Sequence, residues 1–223
     1  AITGGAHRLY AHDSYVAFPR LQYLLVILFS ATAQGPITWW VGKHRLHHNQ
    51  EDKADDPHSP LHGFFHAHMG WLLYESGWKP SIAHTAFFYR NKEKYAAPLW
   101  QEHHRWVLIP AMAIGVPTLV GLLFGDPLGG FLVGGFARLL VQYHCTWIVN
   151  SVGHTFGQHA GRSKTATNNW WLAIPTVGES FHANHHDQAD NYRLGRKWYD
   201  IDLGYYAIQL AIRFGYACEK VPG

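Results

Sequence analysis

The sequence predicts an all-α integral membrane protein, and three observations predict it. Nearly all the hydrophobicity falls in three runs, at residues 21–41, 106–124 and 128–149. The 18 histidines crowd the polar stretches around those runs. Several of them recur at i, i+3 and i+4, the spacing of one helix face. A length of 223 residues suits one domain, and 48% apolar with 15% aromatic residues supplies a core, which excludes a disordered chain. Two cysteines, Cys145 and Cys218, exclude a disulfide framework. A net charge of +3 without a basic run excludes nucleic-acid binding.

In chain order, the opening Ala1-Ile2-Thr3-Gly4-Gly5-Ala6 has no Met and no secretory signal pattern. It reads as a continuation, so residues 1–223 are expected to form one domain lacking upstream membrane segments. The first run is interrupted by Gln34, Gly35 and Pro36, which suit a bend. The second, Trp106 to Phe124, holds 19 residues without a charge. At 1.5 Å per residue that is roughly 28 Å, about one hydrocarbon core. Gly125, Asp126 and Pro127 form a turn, and the third run returns as the other arm of a transmembrane hairpin over about 106–149. Arg138, Gln142 and His144 lie within that arm. Polar groups in a membrane face a bundle interior or a cavity, so Arg138 is expected to have a satisfied packing role. Arg90, Lys92, Lys94 and Arg105 precede the hairpin, Arg162 and Lys164 follow it, and its turn carries no Lys or Arg. The positive-inside rule then puts both polar halves of this multi-pass protein on the cytoplasmic side.

The chemistry lies in the histidine spacing. His44, His47 and His48 stand in His-Arg-Leu-His-His, and His182, His185 and His186 stand in His-Ala-Asn-His-His, so HxxHH occurs twice. Each box is expected to aim three imidazoles at a common point. His7 and His12 are five apart, about 140° on an ideal helix, and so need a helix end or two metals. Asn150 and His154 are i, i+4 at the end of the third run. Imidazole suits Fe, Cu, Ni and Zn, and eight or nine nitrogens exceed what one ion holds, so two metal ions follow. The scarcity of cysteine makes sulfur-bound zinc or an iron–sulfur cluster a poor fit. The isolated His58, His62, His66, His68, His84, His103, His104, His144 and His159 read as surface or core residues. Ligands at 7–12, 44–48 and 182–186 converge only if all lie on one side of the membrane. The hairpin supplies two crossings between the second and third boxes, so the hydrophobic segment at about 21–41 must be non-spanning.

The phrases HRLYAH, KHRLHH, DDPHSP with GFFHAHMGWLL, TWIVNSVGH and GESFHANHH, in that order, resemble the membrane-bound fatty acyl desaturases, most closely the Δ9 group of stearoyl-CoA and acyl-lipid desaturases. The resemblance runs from Thr3 to about Leu210. It implies a helical membrane bundle of four transmembrane helices beneath a cytosolic helical cap, with two of those helices upstream of the first box. It implies a di-iron centre (Fe2+/Fe3+) held by His7, His12, His44, His47, His48, His154, His182, His185 and His186, with Asn150 reaching one iron through water. Gln34, Trp40, Thr146 and Trp147 match residues that wall the bend of a substrate tunnel. Read without the family, Trp39, Trp40 and Trp147 are interfacial or core aromatics. Holding a methylene chain bent, with two carbons near the oxidant, would explain regioselectivity and a cis product. Where animal acyl-CoA enzymes carry Arg-Asp before the second box, this chain has Gly42 and Lys43; where they carry Arg-Lys after GWLL, Glu75 and Ser76 follow Tyr74. The lost positive charge weakens the case for CoA, and the headgroup stays open between CoA and lipid.

The implied reaction is O2-dependent desaturation of a saturated fatty acyl chain at the cis-Δ9 position, with O2 as co-substrate. Glu179, three residues before His182, is a candidate to orient a ligand ring or to cap the helix. There is no GxGxxG fingerprint and no CxxCH, so electrons are expected from an external donor: a cytochrome b5, ferredoxin or flavoprotein reductase. Two alternatives compete. Similar boxes serve alkyl or lipid hydroxylases, whose product gains an oxygen. A metal transporter would line its membrane path with histidines, whereas only His144 lies within a run.

Overall fold

The computed structural model describes residues 1–51, 53–74, 79 and 82–220; the headgroup comparison at Glu75 and Ser76 falls outside them. The chain is mostly helical. It opens with a π-helix, Ile2–Ala11, whose cap continues the pattern: the His12 N–H donates to His7 O, five residues back, at 3.2 Å. The strand Tyr15–Ala17 follows and pairs antiparallel with Ala217–Glu219, joining the two ends of the described chain. A second antiparallel pair joins Gln158–His159 to Thr167–Asn168. These strands are a small addition to a mostly helical chain. At two or three residues each, they are too short to impose a period on the sequence.

The first hydrophobic run divides in two. Pro19–Ser30 begins on a proline, whose fixed φ suits the first helical turn. Its 12 residues reach about 18 Å, well short of a hydrocarbon core. The chain then turns over 31–36, where Ala33 and Gly35 take φ of 50° and 79°, before the helix Ile37–Gln50 that carries the second histidine box. Buried Gln101 ties the two helices together. Its Oε1 accepts the Ile37 N–H at 3.0 Å and its Nε2 donates to Ser30 Oγ at 3.1 Å. Ala6, Tyr10, Val26, Phe29, Val41 and Phe88 belong to one apolar core under these helices, and burying each larger side chain stabilises by about 1.5–3 kcal/mol.

Arg105–Leu123 is, among the described residues, the one helix long and apolar enough to cross a membrane, and of its residues only Ala113 is fully buried. After a turn, Pro127–Gly129, Gly130–Ala137 and Arg138–Ser151 run on as one returning helix. The two helices are antiparallel, with Gly121 facing Gly130 and Pro117 facing Gly134. A Cβ on Gly130 would lie 2.5 Å from Pro117 O and 2.9 Å from Gly121 Cα, so the backbones touch where only glycine fits. Arg138 donates to Gly134 O at 2.8 Å and to Ala113 O at 3.0 Å. Ala113 lies four residues before Pro117, which has no N–H to offer it. The charge is thus spent inside the helix pair. The far end of the returning helix docks on the 31–36 turn: Tyr143 Oη donates to Ala33 O at 3.0 Å, and Gln34 Nε2 to Thr146 Oγ1 at 3.0 Å.

Candidate metal centre

The π-helix answers the question raised by His7 and His12. With i→i+5 bonding, residues five apart stand one above the other, so both rings point the same way and join one group. That group is His7, His12, His44, His48 and His185; a second holds His47, His154, His182 and His186. Neither HxxHH box aims at a single point, which corrects the expectation from spacing. In each box the i and i+4 rings serve one group and the i+3 ring serves the other. His44 and His48 part from His47, and His182 and His186 part from His185. Positions i+3 and i+4 lie about 100° apart around a helix, enough to straddle two centres.

In the five-histidine group, Nε2 atoms follow one another at 2.8–3.0 Å in the order His7, His185, His48, His44, His12. In the four-histidine group they run His47, His186, His182, His154 at 2.9–3.3 Å. Hydrogen bonds alone cannot satisfy these rows. An Nε2 offers one proton or one lone pair, yet each inner ring has two such neighbours. A cation at the centre of each group satisfies all of them. Two imidazoles bound at right angles with metal–nitrogen bonds of about 2.1 Å would stand about 3 Å apart, the spacing seen. Burial, with the neighbouring histidines adding to it, pushes the pKa of His12, His44, His47, His48, His182, His185 and His186 well below the usual imidazole value. Neutral rings have lone pairs to give. Each group could therefore hold a metal ion.

Four of the opposite ring nitrogens face partners as well. Glu179 Oε2 lies 2.5 Å from His7 Nδ1, Asp56 Oδ2 lies 2.9 Å from His47 Nδ1, and Glu51 Oε1 lies 2.9 Å from His186 Nδ1. His154 Nδ1 lies 2.9 Å from Thr165 Oγ1. A partner on Nδ1 fixes the tautomer that leaves Nε2 free to ligate. Burial would raise the Glu179 pKa, but His7 and Arg8 beside it outweigh that and hold it below the usual carboxylate value. Glu179 therefore partners the first box, not the third beside it in sequence. It does not cap His182–Asp187, whose N-cap is Phe181. The arginines inside the boxes tie these elements together. Arg45 donates to Ala11 O at 2.9 Å and Tyr10 O at 3.0 Å, closing the C-terminal end of the π-helix.

Sequence reasoning passed over Glu51, Asp56, Thr165 and His58. His58 is buried, packs its ring 4.3 Å from that of His47, and donates its backbone N–H to Asp56 Oδ1 at 3.2 Å. The signal was the DDPHSP phrase, which places a carboxylate and a histidine shortly after a box.

Beside the histidines lies a cavity of about 960 Å3, walled by Gln34, Trp40, His44, Thr146, Trp147 and Asn150 among others. A smaller cavity of about 290 Å3 reaches His7, His47 and His182, and shares Trp40, His44, Thr146 and Asn150 with the first. The four tunnel residues named from sequence thus meet in one wall. Trp40 Nε1 donates to Gln34 Oε1 at 2.9 Å, Gln34 reaches Thr146, and the Trp40 ring stacks on His44 at 5.2 Å. Asn150 lines both cavities but belongs to neither histidine group.

A helical chain with two adjoining histidine groups that could each hold a metal ion, and an apolar cavity against them, defines a class: a histidine-rich protein with a candidate two-metal site beside an apolar cavity. The comparisons narrow it. The family described as "Fatty acid desaturase" matches residues 1–214. The chain is 37% identical over 220 residues to the "sn-1 stearoyl-lipid 9-desaturase" of Anabaena variabilis, covering 97% of this chain and 76% of that protein. It is 36% identical over 224 residues to the "Hex-5-enoyl-[acyl-carrier protein] acetylenase" of Moorena producens, covering 90% and 66%. It is 34% identical over 221 residues to "Acyl-CoA desaturase 1" of Saccharomyces cerevisiae, covering 98% of this chain but 43% of that protein. The chain belongs to the fatty acid desaturase family, oxidoreductases that desaturate acyl chains.

Proposed function

We propose that this chain introduces a cis double bond at Δ9 of a saturated fatty acyl chain, using O2 at two irons. The hairpin of Arg105–Leu123 and the returning helix 127–151 would span the bilayer, with the histidine-bearing face in the cytoplasm. The observation that carries the reading is His44. Its ring belongs to the five-histidine group and also walls the larger cavity, so an alkyl chain lying there would pass against the metals.

The five-histidine group would hold one iron and the four-histidine group the other, with Asn150 facing them across the cavity wall. When bound, two ferrous ions supply the reductive activation of O2 that breaking an unactivated C–H bond requires. The chain's own residues do the rest. Gln34, Thr146 and Trp40 close one wall by hydrogen bonds, which would fix where the acyl chain turns. Trp39 stacks on Trp71 at 6.2 Å and keeps that wall apolar and dry. Glu179, Asp56 and Glu51 hold their rings at Nδ1. The net change is one CH2–CH2 unit, O2, two electrons and two protons giving CH=CH and two waters. Both electrons must come from outside, from a cytochrome b5, ferredoxin or flavoprotein reductase. The names of the relatives support a fatty acyl substrate and include both lipid-linked and CoA-linked acyl groups.

The test is the fatty-acid methyl ester profile of a desaturase-deficient host expressing the chain. New cis-Δ9 monoenes are expected. Hydroxylated chains, or no product from well-expressed, iron-loaded protein, would overturn the reading.

A further inference from the structure

Arg8, 1% exposed, is the largest fully buried side chain among the described residues. A buried guanidinium costs several kcal/mol unless it is paired, and its partners are of two kinds. Nη2 and Nη1 donate to Asp202 Oδ1 and Oδ2 at 2.8 and 3.2 Å, and Nη1 donates to Tyr192 O at 2.7 Å. Asp202 also accepts the Leu194 N–H at 2.7 Å and caps the helix Leu203–Arg213 through the Tyr205 N–H. That half of the network is architecture, fastening the C-terminal segment to the first box.

The other half touches the candidate metal centre. Glu179 divides its oxygens: Oε1 accepts from Arg8 Nη2 and Nε at 3.1 and 3.3 Å, while Oε2 sits on His7 Nδ1. The Nε2 of the same His7 ring lies in the five-histidine group. A carboxylate on Nδ1–H makes a ligating imidazole a stronger donor, and a cation on the far oxygen draws that density back. Both effects are large where water is excluded. We infer that Arg8 is a positioning residue for the five-histidine metal. By sharing Glu179 with His7, it holds that carboxylate in place and tempers the donor strength of His7. The inference rests on the two-iron reading above.

The test is spectroscopic. The purified chain is loaded with 57Fe(II), and each iron is followed by Mössbauer spectroscopy and by mediated redox titration, in which each Fe(II) gives one electron to the mediator and becomes Fe(III). In Arg8→Gln, one of two iron signals is expected to move and its midpoint potential to fall, while the other stays. Glu179→Gln is expected to move the same signal the opposite way, and Arg8→Lys to restore most of the wild-type position. In the Glu179→Gln background, adding Arg8→Gln should shift nothing further. Asp202→Asn, which loosens only the architectural half, should leave both signals in place. The inference is overturned if Asp202→Asn reproduces the Arg8→Gln spectrum, if both irons shift together, or if Glu179→Gln moves neither. Even if Arg8→Gln does not fold, Glu179→Gln still refutes the inference by moving neither signal, and Arg8→Lys still reads the guanidinium's own part. Wild-type chain that binds no iron would instead overturn the two-iron reading itself.

Discussion

The hairpin and the histidine-bearing part of the molecule are held together by opposite means. In the hairpin, partners are close in sequence and the contacts are backbone against backbone, Gly121 on Gly130, with one arginine satisfied inside the pair. In the histidine centre, partners are far apart: His7 meets His185 across 178 positions, and Arg8 meets Asp202 across 194. The hairpin can form from one tight turn. The centre exists only once the π-helix, the second-box helix and the third box are all in place, and it closes long loops whose entropy must be offset. It follows that substitutions in the centre should weaken metal binding while sparing the hairpin, and the reverse for the hairpin.

The sharpest break is His185→Ala. His185 stands between His7 and His48 in the row of Nε2 atoms, so its loss opens the five-histidine group in the middle. Bound iron should fall to about half and product by about a hundredfold or more, with helical content by circular dichroism unchanged. Retained turnover would remove His185 from the centre. Asp56→Asn should act next. It keeps the shape but replaces the carboxylate on His47 Nδ1 with an amide, and about a 10–100-fold loss of metal affinity is expected in competition with a chelator. Unchanged affinity would make Asp56 a loop residue alone.

These two predictions also mark what could be seen in the sequence. The repeated HxxHH spacing exposes six of the nine histidines of the two groups, and Gln34-Gly35-Pro36 announces the break in the first run, because spacing and turn chemistry are local. The division of each box between two groups was hidden. It depends on how the helices face one another, which no single helical wheel contains. His7 and His12 looked about 140° apart on a standard helix, because nothing in ITGGAHRLYA advertises i→i+5 bonding. Glu51 was hidden and Asp56 marked only by the DDPHSP phrase for a related reason: a short acidic stretch usually faces solvent, and only the folded chain turns these two toward the rings. The paired strands at Tyr15–Ala17 and Ala217–Glu219 bring together opposite ends of the chain through three residues each.

Gly130→Leu attacks the hairpin instead. Its new side chain would overlap Pro117 O and Gly121, forcing the helices apart at an expected cost of about 1–3 kcal/mol. Thermal unfolding in detergent should come earlier, while iron per folded chain stays at the wild-type value. If iron falls together with stability, the hairpin and the centre are not independent, and the contrast between them fails.

The smallest effect lies where the two regions meet. Thr146 belongs to the returning helix, yet its hydroxyl accepts from Gln34 in the turn before the second box, and Gln34 in turn holds Trp40. Thr146→Val keeps the volume and removes that acceptor. A hydrogen bond of this kind contributes about 0.5–1.5 kcal/mol, so stability and iron content should scarcely change. The wall of the cavity, however, loses the bond that sets its shape beside His44. A several-fold shift in the ratio of products differing in chain length or double-bond position is expected by gas chromatography. An unchanged ratio would mean that the bend is set within the 31–50 segment alone and that the hairpin only carries it.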